Sequence, residues 1–201
     1  MKLYLTVIGI SMALICTVNI LFEVAPWYYV IIATAWCIAL QFALDGGLAI
    51  LINKMPDRWF GVGNRLYAVS EAEKKLYKSL RVRLWKDKVW ELGGLGGFSK
   101  KNVKEPGNPE YIEKFIIECN KGVLTHRLSY PIGFAAMLTL PGVCALTIAL
   151  PVAIVNIFLN ILPTLALRYN TPMLQSVLKR LKRKQEKATN CTVSGAIDSN
   201  L

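Results

Sequence analysis

The sequence predicts an all-α integral membrane protein with about four transmembrane helices and a cytoplasmic amphipathic helical segment between the second and the third. Three observations carry that prediction. The apolar fraction is 54%, and the apolar residues lie in long runs, each able to span a hydrocarbon core of roughly 30 Å. The 24 Lys and Arg residues are segregated, with sixteen between Lys54 and Arg127, seven from Arg168 to Lys187, and one at Lys2. No Lys or Arg falls between Leu3 and Asn53 or between Leu128 and Leu167. That positive-inside pattern predicts a multi-pass protein of the cell (inner or plasma) membrane with both termini cytoplasmic. Topology and anionic headgroups account for the net charge of +11, so membrane lipid is the expected partner and nucleic acid is not.

The elements follow in order. Residues 1–54 form a transmembrane hairpin of two spans. Leu3 to Leu21 is the first by length and lack of charge, and Glu23 to Pro26 is an outer turn. Trp27, Tyr28 and Tyr29 form an interfacial aromatic belt before a second span that ends near Ile52. That span contains Asp45, whose burial would cost about 2.5–3.5 kcal/mol near mid-helix. Its place toward the inner end, near Lys54, favours a structural role. Residues 55–108 are a cytoplasmic basic amphipathic segment. Ser70 and Glu73 form a capping box, and Leu76, Leu80 and Leu84 follow at helical spacing. Tyr77, Trp85 and Trp90 interleave with Arg81, Arg83, Lys86 and Lys88, as on a helix lying in the headgroup layer. Gly93 to Gly97 reads as a flexible loop and lacks the Gly-Lys-Ser/Thr of a phosphate-binding loop.

Residues 109–184 hold a helix and a second transmembrane hairpin. Asn108, Pro109 and Glu110 are a helix start. A rotation of about 100° per residue puts Ile112, Phe115, Ile116, Cys119, Val123 and His126 on one face. Leu128 to Leu167 contains no charge and is long enough for two spans, with the turn expected near Ile148–Pro151 and a kink at Pro141-Gly142. Asn156 and Asn160 share a face of the last span. Residues 185–201 read as a disordered polar tail, and the topology keeps its Asn190-Cys191-Thr192 sequon cytoplasmic and so unused. The five cysteines have neither disulfide-like nor metal-ligand spacing, so no disulfide and no metal are expected.

His126 is the sole histidine and the only side chain whose ordinary pKa suits proton transfer near neutrality. It sits where an amphipathic helix enters the apolar run, and Arg168, Tyr169 and Asn170 end that run. A hairpin would return the two to one side of the membrane. As general base, His126 would take the proton of a hydroxyl attacking a thioester. Glu118 and Asn160 are its candidate orienting groups, although Glu118 lies about 12 Å away along an unbroken helix. Arg168, Tyr169 and Asn170 are candidates to position the donor or its oxyanion. Arg83, Lys86 and Trp85 are candidate donor contacts.

At these residues the chain resembles the glycosyl-4,4'-diaponeurosporenoate acyltransferases of staphyloxanthin-type carotenoid synthesis. The resemblance runs from about residue 55 to 184. It rests on Met55-Pro56-Asp57 with Trp59-Phe60, then Val82-Arg83 with Trp85-Lys86 and Lys88. Ile112-Glu113-Lys114, Ile116-Ile117-Glu118 and His126 continue it. Asn160, Arg168-Tyr169-Asn170, Pro172 and the basic Leu178 to Arg183 complete it. The resemblance implies transfer of a fatty acyl group to a sugar hydroxyl on a membrane-embedded glycosyl-carotenoid. The expected partners are an acyl thioester donor, such as an acyl-CoA, and a lipid-linked hydroxyl acceptor, with no resident cofactor. Two rival readings are a non-catalytic envelope protein that binds anionic lipid and a small membrane methyltransferase.

Overall fold

The computed structural model describes residues 2–89 and 103–198, with side chains for 4–89 and 103–187; the Gly93–Gly97 loop, Trp90 and the Cys191 side chain lie outside these. All regular secondary structure among the described residues is helical, without a strand. Helices α1 (Lys2–Leu21) and α2 (Trp27–Asn53) form the first hairpin. At about 1.5 Å per residue they are roughly 30 and 40 Å long. Leu5, Ile10, Leu14, Ile32 and Ile50 point outward from them. Between the hairpins lie the short helices α3 (Glu71–Ser79) and α4 (Val82–Trp85). Ser70 and Glu73 cap α3 reciprocally.

Helix α5 (Pro109–Ile132) starts where the sequence places it, with the Asn108 side chain accepting from the backbone N–H groups of Glu110 and Tyr111. It runs directly into a 3₁₀ segment, Gly133–Thr139. Length alone puts the reversal near Ile148–Pro151, but the chain turns earlier, at Leu140–Gly142. Gly142 has φ +51°, a left-handed conformation that glycine adopts at little cost. Pro141-Gly142 is therefore the turn rather than a kink, and the reason is local turn chemistry. The early turn is possible because the amphipathic helix and the apolar arm are one continuous rod. Ile148 to Pro151 lies in helix: α6 (Gly142–Cys144) and a π-helical turn, Ala145–Ala149, lead into α7 (Leu150–Asp198). The backbone of α7 stays helical to Asp198 where composition predicts a disordered tail; an established helix propagates cheaply through residues without proline.

Three helical stretches are long and apolar enough to cross a membrane: Tyr4–Leu21, Trp27–Asn53 and Gly142–Lys187. The fourth arm, α5, carries Glu110, Glu113, Lys114 and Glu118 in its first half, with Lys121 just beyond, and is not among them. It pairs antiparallel with α7, as the Lys182–Glu113 bridge and the closeness of Gly133 to Asn156 show. Two apolar clusters hold the helices together. One contains Ile52, Phe60, Ile112, Ile116, Val123 and Leu174. The other contains Ile15, Val30, Cys37, Ala136, Ile148 and Val152. Between these clusters α2, α5 and α7 each turn polar side chains inward: Gln41 and Asp45, His126 and Ser129, Asn156 and Asn160.

Candidate active site

That polar belt borders a cavity of about 930 Å³ enclosed by α1, α2, α5 and α7, within the size range of small-molecule sites. Its lining on α2 extends from Ile38 to Asn53, about 22 Å of helix. One end is lined by Asn53, Lys114, Glu118 and Lys121, and the other by Ile15, Ile38 and Val152. His126, Asp45 and Asn160 lie between the two. Leu5, Phe42 and Ile50 also line it and are each more than half exposed, so the cavity opens sideways onto the apolar surface.

The belt is a directed chain of hydrogen bonds. The Gly133 carbonyl can only accept, so the Gln41 side chain presents its NH₂ group there and turns its own oxygen to Asn156. Asn156 Nδ2 donates to that oxygen at 3.1 Å. Asn160 Nδ2 donates to Asn156 Oδ1 and to the Asn156 carbonyl, each at 3.0 Å, and approaches Asp45 Oδ2 at 3.3 Å. Three acceptors around one amide nitrogen fix the orientation of Asn160. Its Oδ1 therefore faces His126 Nδ1, 2.7 Å away. An amide oxygen accepts, so Nδ1 must carry the proton. In neutral imidazole this leaves Nε2 unprotonated. Bonds in such a chain polarise one another, and this one makes His126 the first donor.

Glu118 lines the same cavity but is bound to Lys121 at 3.3 Å, and Lys121 reaches Asp57 at 2.6 Å. Burial opposes the Lys121 charge, but the two carboxylates outweigh it and hold its pKa above the usual lysine value.

Arg168 is turned elsewhere. Its Nε and Nη2 grip the two Glu73 oxygens at 2.9 and 2.6 Å, and Nη2 also donates to the Ala68 carbonyl at 2.9 Å. The bond from Arg168 holds the Glu73 carboxyl below its ordinary pKa despite partial burial. Tyr169 meets the Tyr77 ring edge-on at 6.3 Å, and Asn170 Oδ1 is buried without a hydrogen-bond partner. None of the three lines the cavity. Arg83 is exposed, Lys86 pairs with Asp87, and the Trp85 indole donates to the Leu80 carbonyl; these too lie outside it. The structure thus brings His126, Asn160 and Glu118 to one cavity and leaves the other six candidates outside its lining.

Sequence reasoning passed over Gln41 and gave Asp45 a structural part. The available signal was their spacing, since residues four apart share a helix face, here inside an otherwise apolar span. Ser129 was also passed over. It is fully buried, lines the cavity one turn beyond His126, and its hydroxyl has no partner.

Fold and site together define an all-helical protein with membrane-length helices and a laterally open cavity floored by amides and a histidine. The chain belongs to the glycosyl-4,4'-diaponeurosporenoate acyltransferase family, whose model matches residues 56–180. It is thereby an acyltransferase, an enzyme of the class that moves acyl groups. Neither a similar curated protein nor a similar solved structure was found.

Proposed function

We infer that the protein transfers a fatty acyl group from a cytoplasmic thioester to a hydroxyl, on a sugar, of a membrane-embedded glycolipid or glycosyl-carotenoid. Family membership supports the reaction class, and the shape of the cavity supports the substrates. Its apolar length suits a lipid chain, its side opening admits an acceptor from the bilayer, and Lys114 at its polar end suits an anionic donor such as an acyl-CoA. The basic clusters at both ends of the apolar runs keep that polar end and both termini cytoplasmic.

The observation that carries the reading is the 2.7 Å contact between His126 Nδ1 and Asn160 Oδ1, which leaves Nε2 free of its proton. Nε2 takes the proton of the acceptor hydroxyl as that oxygen attacks the thioester carbonyl carbon. The C–O bond forms, the C–S bond breaks, and the imidazolium returns the proton to the leaving thiolate. Asn160 orients the ring, and Glu118 holds Lys121 at the polar end. The test is acyl transfer in membranes carrying His126→Ala. Activity should fall by about a hundredfold or more; a folded variant with full activity removes the reading.

A further inference from the structure

We propose that Asp45 is a positioning residue of this site, fixing Asn160 and stabilising the protonated form of His126. The inference rests on His126 being the base. Asp45 comes from the first hairpin, which lies outside the matched residues 56–180, yet α2 forms a wall of the cavity. A carboxylate within a membrane-length helix is costly and points to function by default. Its Oδ2 receives Asn160 Nδ2 at 3.3 Å, while its Oδ1 is buried without a partner. The other lining carboxylate, Glu118, already has a cationic partner in Lys121, which it shares with Asp57. Among the described residues Asp45 is in no ion pair, so its charge is not offset by a neighbouring cation. When His126 takes a proton, the new cation lies one amide away from that charge.

Among the described residues, groups from every element around the cavity face His126. Asp45 stands on α2, Tyr4 on α1, and the uncharged Asn156 and Asn160 on α7. Lys114, Glu118 and Lys121 line the cavity from α5 itself, and Arg127 is the next residue in the chain. Among the described residues only Asp45 combines a carboxylate, a direct bond to the amide that holds the imidazole and no ion pair. An opposite charge nearby favours the charged form of a base. Asp45 thereby strengthens His126 as proton acceptor and lowers the barrier to forming the imidazolium.

The sole histidine gives a direct readout, because ¹⁵N-histidine labelling of the full chain in lipid nanodiscs yields a single imidazole. The wild-type ring should be the Nδ1–H tautomer. Asp45→Asn keeps an oxygen for Asn160 but removes the charge. It should lower the imidazole titration midpoint and the acid limb of the kcat/KM profile together, by about one unit. Asp45→Glu should move both back toward wild type, and Asp45→Ser serves as the neutral variant if the asparagine form does not fold. An Nε2–H tautomer in the wild type overturns the proposal. So does a neutral variant whose midpoint stays in place, even if its rate falls, because the residue is then only structural. Failure of this proposal alone is recognised by an inactive His126→Ala beside an unmoved titration; an active His126→Ala fails the base itself.

Discussion

Two buried polar clusters sit eight residues apart on α7, one around Asn160 and one around Arg168, and they are built on opposite plans. Around Arg168, Glu73 receives the guanidinium on both oxygens, accepts from the Tyr77 hydroxyl and caps α3. Arg168 Nη1 and the neighbouring Asn170 Oδ1 are buried without a partner, but neither residue lines the cavity. Around Asn160, the hydrogen bonds run in one direction from His126 to the Gly133 carbonyl, and Asp45 Oδ1 and Ser129 Oγ are left unsatisfied beside about 930 Å³ of space. Burial and polarity are common to both, so neither marks a site. The distinguishing feature is unused bonding capacity that faces a void. Both clusters keep an unpaired polar atom, but only those of Asp45 and Ser129 belong to residues that line the cavity, where a substrate can use them.

The comparison can be broken most severely at Arg168. Arg168→Ala leaves the buried side of Glu73 without its partner and should cost about 3–5 kcal/mol of stability, seen as a large fall in the melting temperature in detergent. His126→Ala should leave that temperature nearly unchanged. If Arg168→Ala instead melts like wild type and has lost activity, the two clusters have exchanged roles.

Asn160→Leu sharpens the other side of the contrast. It removes the oxygen that fixes the imidazole tautomer, and acyl transfer should fall by about ten- to a hundredfold. Part of that loss should be recovered in Asn160→Gln, whose amide can still reach the ring. Equal activity in all three proteins would show that the amide chain does not orient His126.

The smallest expected effect is a pH dependence confined to the closed cluster. Glu73 is held below its ordinary pKa by Arg168, so the folded state takes up a proton there less readily than the unfolded chain. Its contribution is therefore complete above the ordinary glutamate pKa of about 4.3 and is lost as pH falls below that value. Hydrogen-exchange protection of α3 amides should be level from neutrality to about pH 5 and should decline below about pH 4. A protection profile flat to lower pH would mean that α3 is held by something other than this ion pair.

Much of the fold was legible in the residues themselves. Charge-free runs mark the apolar helices, Ser70 and Glu73 show the start of α3, and Asn108-Pro109 shows the start of α5. The apolar face of α5 was also legible, since Ile112, Phe115, Ile116, Cys119 and Val123 are all buried. Less of the site could be read. A phase of about 100° per residue puts Asn156 and Asn160 on one face of α7 and turns Arg168 roughly 80° from Asn160. That rotation is computable from the sequence, but the neighbour each face meets is not.

What the sequence determines alone is what near neighbours along the chain set: helical period, caps and the segregation of charge. Tertiary structure decides that Arg168 meets Glu73, 95 residues away, and that Asn160 meets Asp45, 115 residues away. The reason is physical. A helix presents every side chain at a known angle, but the partner waiting at that angle depends on how the helices assemble, and only that assembly separates a satisfied ion pair from a site with bonds to offer.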